Sequence, residues 1–366
     1  MKVLILSGPD NESQLAVSRA LKQALSARGD SCLLVSALAL LGQHPTLSQM
    51  RALEEALALP RGFAFLSANG SFIRSGKRRT AVYEVNARYA EHLNTLLREG
   101  EFDAVLCLHR YPAEAVTHVR KTLAFSARCC FLSCEYACVP FLEETRLDHY
   151  FIAHESFIKQ YTTRGIPENK LLPSGIPVPA DWFRQEDQAD ARALLNLPQQ
   201  MPCYYLPYTV DTVAAVDALL SRMRAEDGRI CVTAPDGAPP RSPFVARYAG
   251  DIRVVVLAPE DPLALYCAAC DVMLLSPSGV FSAAAAVCGK PLVHLPASDP
   301  FEAQTADFFS ARGMSLAGQS AEESAALAIA LAKDHAAKAA MCAAQQQACI
   351  PDAAQRVVRF LHEGRL

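Results

Sequence analysis

The chain has 366 residues, 51% of them hydrophobic and 20% charged, with a net charge of −3. A single core rarely grows past about 250–300 residues, so this composition predicts two folded domains and excludes a disordered chain. The near-neutral balance argues against a polyanion-binding protein, and no nucleic-acid partner is expected.

Residues 3–7 are a short apolar run closed by Gly8-Pro9-Asp10-Asn11, which reads as a buried parallel strand and a turn. The run is too short for a secretion signal. No apolar stretch reaches the ~18 residues of a membrane span, so a cytoplasmic protein is expected, soluble or peripheral on the inner face of the plasma membrane. Residues 15–28 have helical apolar spacing, Gly29 stops them, and 32–35 form the next strand. Strand, helix and strand at this spacing make a βαβ unit and predict a doubly wound sheet.

Residues 36–80 mix helix-like spacing at 47–59 with Gly62, Gly70 and Gly76. They also set Phe63, Phe65, Phe72 and Ile73 beside a basic cluster, Arg74, Lys77, Arg78 and Arg79. The first 180 residues hold 20 Lys/Arg against 17 Asp/Glu, the remainder 15 against 21. Apolar residues beside basic ones suit an anionic membrane surface, and equally a solvated loop at a core edge.

A helix is predicted over 80–99 and a strand over 102–108. Helix 112–122, strand 129–133, strand 150–153 and helix 155–163 follow, and prolines at 173, 177 and 179 make a stiff connector. The same order then restarts. Strands are predicted over Cys203–Leu206, Arg229–Thr233, 253–257, Val272–Leu275 and 291–295. Helices are predicted over 211–223, 262–269 and 280–287, with one Ala-rich helix near 321–345 and an amphipathic one over 352–363. The fold class is therefore α/β: two Rossmann-like domains facing a cleft, with ligands at the carboxyl ends of the strands. Asp10 and Asp211, each following a first strand, read as caps of the next helix.

Thirteen cysteines show no regular spacing and read as reduced buried thiols. Cys267-Ala-Ala-Cys270 has no second pair and no nearby His, so it does not make a four-ligand zinc site, and no metal or cofactor is expected.

Asp103-Ala-Val-Leu-Cys-Leu-His109-Arg-Tyr-Pro112, Cys134-Glu135-Tyr-Ala-Cys-Val-Pro-Phe141 and the line from Leu147 through Gly175-Ile-Pro-Val178 carry a family resemblance. They are similar to the monogalactosyldiacylglycerol synthase and processive diacylglycerol glucosyltransferase family, of glycosyltransferase family 28. Ser276-Pro-Ser-Gly279 through Gly289-Lys-Pro291 matches that family's donor segment in layout. The resemblance implies the GT-B fold and metal-free hexose transfer from a UDP-sugar to a diacylglycerol-type lipid. It implies an acceptor and membrane-facing domain over 1–178 and a nucleotide-sugar domain over 179–350. Residues 351–366 would form a C-terminal helix packing back on the first domain. It assigns acceptor chemistry to His109 and Glu135, and donor phosphate binding to Ser278, Gly279 and Ser282.

The sequence departs from that family where the chemistry lies. Gln14 occupies a position where the family has His, and Gln takes no proton at neutral pH. Val139 replaces a second His. Ala284 replaces the Glu that would hold the ribose hydroxyls, and Phe301 and Thr305 fall where a Gln and an Asn are expected. Two functions follow. One is an active glycosyltransferase. The other is a catalytically inactive relative that binds a lipid or a partner.

Overall fold

The structure, a computed structural model, describes residues 1–8, 12–36, 90–123, 125–182, 186–207, 212–223, 228–234, 242–258 and 261–366. The chain forms two compact units. The first is Met1–Pro179 with Asp299–Phe301 and Pro351–Leu366. The second is Ala180–Ser298 with Glu302–Ile350.

The N-terminal unit runs β1 (Lys2–Ser7), α1 (Glu12–Ser26), β2 (Ser31–Ser36), α2 (Ala90–Gly100), β3 (Ala104–Cys107), α3 (Arg110–Val119), β4 (Arg128–Leu132), β5 (His149–Ile152), α4 (Ile158–Thr163) and β6 (Leu171–Pro173). Its sheet has the order β2-β1-β3-β4-β5-β6, parallel throughout. Val3 to Leu6, all of β3 and Cys129 to Leu132 are buried. Such unbroken apolar runs are what a parallel sheet covered on both faces requires.

The other unit holds α5 (Gln188–Leu194), β7 (Cys203–Leu206), α6 (Thr212–Arg222), β8 (Arg229–Thr233), α7 (Pro243–Tyr248), β9 (Val254–Leu257), α8 (Leu263–Ala269), β10 (Val272–Leu275), α9 (Gly279–Val287), β11 (Leu292–His294), most of α10 (Pro300–Ser310), β12 (Leu316–Ala317), α11 (Ala321–Lys333) and α12 (His335–Ala348). Its sheet order is β12-β11-β10-β7-β8-β9, again all parallel. In each sheet the chain winds outward from the first strand and then returns to its other side. The reversals fall between β1 and β3 and between β7 and β10. At such switch points the carboxyl ends of the strands leave room for a ligand.

The last helix, α13 (Ala353–Glu363), belongs to the N-terminal unit and buries Val357, Val358, Phe360 and Leu361. Arg128 Nη1 donates to the carbonyls of Phe360 and Leu361, at 2.9 and 3.1 Å, meeting the negative end of the helix with a cation.

Three expectations about elements are corrected. The Ala-rich stretch is two helices. Asp334 leaves helical geometry and its carboxylate accepts from the Ala337 amide, which starts α12. The residues expected to open a helix at 155 form a 3-10 turn, Glu155–Phe157, before α4. Helices α5 and α7, each under two turns, were not expected, although Ser242 at the N-cap and Pro243 behind it mark the start of α7.

Candidate functional site

In the N-terminal unit, two expected positions, Gln14 and His109, gather with Gly8 where β1 and β3 end. Gly8 leaves β1 and His109 leaves β3. A Cβ on Gly8 would lie 2.5 Å from His109 Cγ and 2.8 Å from its Cβ, so only glycine fits. Gln14, buried in the first turns of α1, takes the Gly8 amide on Oε1 at 2.6 Å, while Ser36 donates to the Gly8 carbonyl at 3.1 Å. Gln14 is thus a clamp on the loop that backs His109.

His109 is the N-cap of α3. Its Nδ1 accepts from the Tyr111 amide at 3.2 Å, so the neutral ring carries its proton on Nε2. The imidazole therefore presents a donor.

Glu135, half-buried, follows the neighbouring strand β4. The Ser133 hydroxyl holds its backbone at both ends, accepting from the Glu135 amide at 3.2 Å and donating to its carbonyl at 3.0 Å. Cys134 Sγ reaches the Leu108 carbonyl at 3.8 Å. These bonds tie the β4 exit to the residue before His109, so His109 and Glu135 leave adjacent strands on one edge of the sheet. Val139 lies in the same loop, which Tyr161 pins through its hydroxyl to the Ala137 carbonyl at 3.1 Å.

In the C-terminal unit, β10 ends at Leu275 and a tight turn follows, with the Ser278 amide donating to the Ser276 carbonyl at 2.7 Å. Ser278 is the N-cap of α9 without a side-chain cap, and the first helical bond runs from the Ser282 amide to the Ser278 carbonyl at 2.9 Å. The amides of Gly279, Val280 and Phe281 therefore have no acceptor within the helix, which is the ordinary basis of an anion seat.

Ser282 does not face such a seat. It is fully buried, and its hydroxyl lies 3.0 Å from His294 Nε2, with Ser315 Oγ 3.2 Å from Nδ1. The expectation that Ser282 holds a diphosphate is set aside, because its hydroxyl is committed to this internal chain. Burial holds the His294 imidazole down at about 3, neutral at any physiological pH. Ala284 is also a core residue, in a helix apolar on all sides. Thr305 is fully buried.

Cys267 and Cys270 lie in the core, with Cys270 Sγ 3.2 Å from the Cys267 carbonyl, and burial pushes the Cys270 thiol up. All thirteen cysteines are unbridged. Among the described residues no group of three or more His, Cys, Asp or Glu could hold a metal, and no helix is long and apolar enough to cross a membrane. Arg74, Lys77, Arg78 and Arg79 lie outside the described residues, as do Asp10 and Asp211.

Residues 17–178 match the family described as Monogalactosyldiacylglycerol (MGDG) synthase. Over that span the N-terminal unit is similar to the MGDG synthase family. No curated protein matches the chain in sequence. In fold, the chain is similar to three solved structures among others. MurG of Acinetobacter baumannii has TM-score 0.62 and 14% identity over 99% of both chains. The UDP-GlcNAc 2-epimerase of Neisseria meningitidis bound to UDP-GlcNAc has TM-score 0.64 and 13% identity, over 99% of this chain and 100% of that one. The sucrose-phosphate synthase of Thermosynechococcus elongatus has TM-score 0.60 and 14% identity, over 100% of this chain and 98% of that one. At these identities the likeness establishes the fold, the two-sheet α/β architecture of GT-B enzymes. That fold serves transferases and an epimerase alike, so function rests on the MGDG synthase match and on the site residues.

Two residues at or beside these strand ends, Gly8 in the site and Arg110 next to His109, are not singled out by the sequence reading. Gly8 was read only as part of a turn, although a glycine at the carboxyl end of a first strand is the usual sign of close backbone approach. Arg110 was passed over, although it is the one charged side chain between Leu108 and Ala113.

Proposed function

We propose that the chain transfers a hexose from a UDP-sugar to a diacylglycerol-type lipid at a membrane surface. The observation that carries this reading is the MGDG synthase match over the unit in which His109 and Glu135 leave adjacent strands. In this reading His109 donates from Nε2 to orient the acceptor hydroxyl. The Glu135 carboxylate takes the hydroxyl proton as the acceptor oxygen bonds to the anomeric carbon. The bond from that carbon to the diphosphate breaks, and UDP leaves with its electron pair. The first-turn amides of α9, beside Ser278 and Gly279, meet the diphosphate charge. Arg74, Lys77, Arg78 and Arg79 would hold the protein to anionic lipid, on the cytoplasmic side.

Donor affinity is expected to be weak. An exposed helix N-terminus contributes about 0.3–1 kcal/mol toward an anion, whereas each lost charged hydrogen bond removes about 1.5–3 kcal/mol, and the carboxylate expected for the ribose is Ala284. Calorimetric titration with UDP tests this half of the reading. Saturable binding, unchanged by Glu135→Gln, is expected. No heat at millimolar UDP would remove the donor from the proposal. His109→Ala and Glu135→Gln are each expected to lower transfer by about 10²–10⁴-fold.

A second reading is favoured by Gln14, which is engaged with Gly8, and by the burial of Ala284. It makes the chain a non-catalytic module that binds a lipid or a partner. Vesicle pelleting separates the two. Binding lost on Arg78→Glu, with no turnover of any labelled UDP-sugar, supports the module, and turnover excludes it.

A further inference from the structure

We propose that Arg110 anchors an oxyanion-binding site in the N-terminal unit, one that takes a phosphate ester. Arg110 is 4% exposed, yet it has no ion pair with any described carboxylate. The guanidinium Nε is buried without a hydrogen-bond partner. Its one polar contact is a long one, from Nη2 to the Tyr111 hydroxyl at 3.4 Å. Two aromatic rings lie near it, the Tyr111 centroid at 5.0 Å and the Phe141 centroid at 5.8 Å.

A cation enclosed in this way costs several kcal/mol unless a counter-charge completes it. Aromatic faces offset part of that cost, but they do not satisfy the N–H donors. Phe141 adds a second sign of a built site. It holds a left-handed backbone, φ 66°, which a bulky residue adopts only when its surroundings impose it. The strain places its ring beside the guanidinium, on the carboxyl-end edge where His109 and Glu135 also lie.

The helix itself supplies little. The Tyr111 amide is taken by His109, Pro112 has none, and the Ala113 amide bonds the His109 carbonyl at 3.3 Å. Recognition therefore falls to the planar guanidinium, whose paired donors match a phosphate or carboxylate edge. The site does not depend on glycosyl transfer or on the donor seat in the other unit.

The test is thermal-shift titration of the full chain with inorganic phosphate and, separately, with octyl phosphate below its micelle concentration. Both are run at constant ionic strength, for wild type, Arg110→Lys and Arg110→Met. Saturable stabilisation of wild type is expected, about 10- to 100-fold weaker in Arg110→Lys and absent in Arg110→Met. In phosphate-free buffer Arg110→Met is expected to melt at or above the wild-type temperature, since it removes an uncompensated buried charge. Tighter binding of octyl phosphate than of phosphate would make the natural ligand a lipid-borne ester. Equal binding would make it a soluble ester. No stabilisation of wild type by either probe, or equal stabilisation of Arg110→Met, overturns the proposal. UDP titration of Arg110→Met keeps the two sites apart, because donor binding is expected to be unchanged.

Discussion

At Gly8 a single hydrogen atom in place of a methyl decides where an imidazole stands. Gly8→Ala puts a carbon within 2.5–2.9 Å of three His109 atoms near the ring's root, where no flexible end can swing away. The variant is expected to lose about 1–3 kcal/mol in denaturant unfolding and, with His109 displaced, at least about tenfold in transfer. Unchanged transfer would show that His109 is not held by Gly8.

His294 offers an independent test within the other unit. Its folded pKa, about 3, lies below the ordinary 6.5. The unfolded chain therefore takes up a proton first as pH falls. The stability this residue contributes is full above pH 6.5 and declines toward pH 3, by about 1.4 kcal/mol per pH unit. The sole tryptophan, Trp182, stacks on Phe281 at 5.4 Å in the same unit, so its fluorescence in urea reads that unit. His294→Asn is expected to flatten the decline between pH 6.5 and 4, and an unchanged slope would contradict the buried Ser-His-Ser chain.

Residue roles were legible only where a strand end announced them. His109 and Glu135 follow apolar runs that could be recognised as strands. Ser282 departs from the sequence expectation because the residue that engages it, His294, is 12 positions away, and the Ser315 that completes the chain on the other ring nitrogen is farther still. Nothing local to α9 shows that a hydroxyl in its first turns points inward.

Helix α13 shows an element supported by tertiary contacts more than by its own propensity. Its four large buried side chains, Val357, Val358, Phe360 and Leu361, are each worth about 1.5–3 kcal/mol relative to exposure, and Phe360 lies edge-on to Phe151 at 5.4 Å. Deleting 351–366 is therefore expected to leave the N-terminal unit unfolded or aggregated at 25 °C, as read by circular dichroism and sedimentation. A soluble, cooperatively melting product would contradict that role. The strands β7, β8 and β10 were legible to the residue because each is a continuous apolar run closed by turn residues. Element ends in the helices shifted by a few positions, because capping side chains set them. The Ala-rich stretch shows this most clearly, since its composition continues through Asp334 while its hydrogen bonding does not.

For the molecule as a whole, the alternation of strands and helices was legible, and with it two parallel α/β sheets, although β6, α10 and β12 were not expected. Alternating short apolar runs and helical spacings leave few other topologies once crossovers are right-handed. The family resemblance was legible in residues 103–178, where the strings are similar, and that region lies within the family match over 17–178. The donor half was harder, because its specificity lies in loop residues that change chemistry without changing the fold. The claim that joins both halves is hexose transfer. It is tested most directly by incubating the chain with radiolabelled UDP-glucose or UDP-galactose and vesicles of diacylglycerol in anionic phospholipid. Label extracted into the lipid phase is expected from wild type and is expected to fall about 100-fold or more in Glu135→Gln. No lipid-borne label from either sugar nucleotide, or equal label from Glu135→Gln, would contradict it.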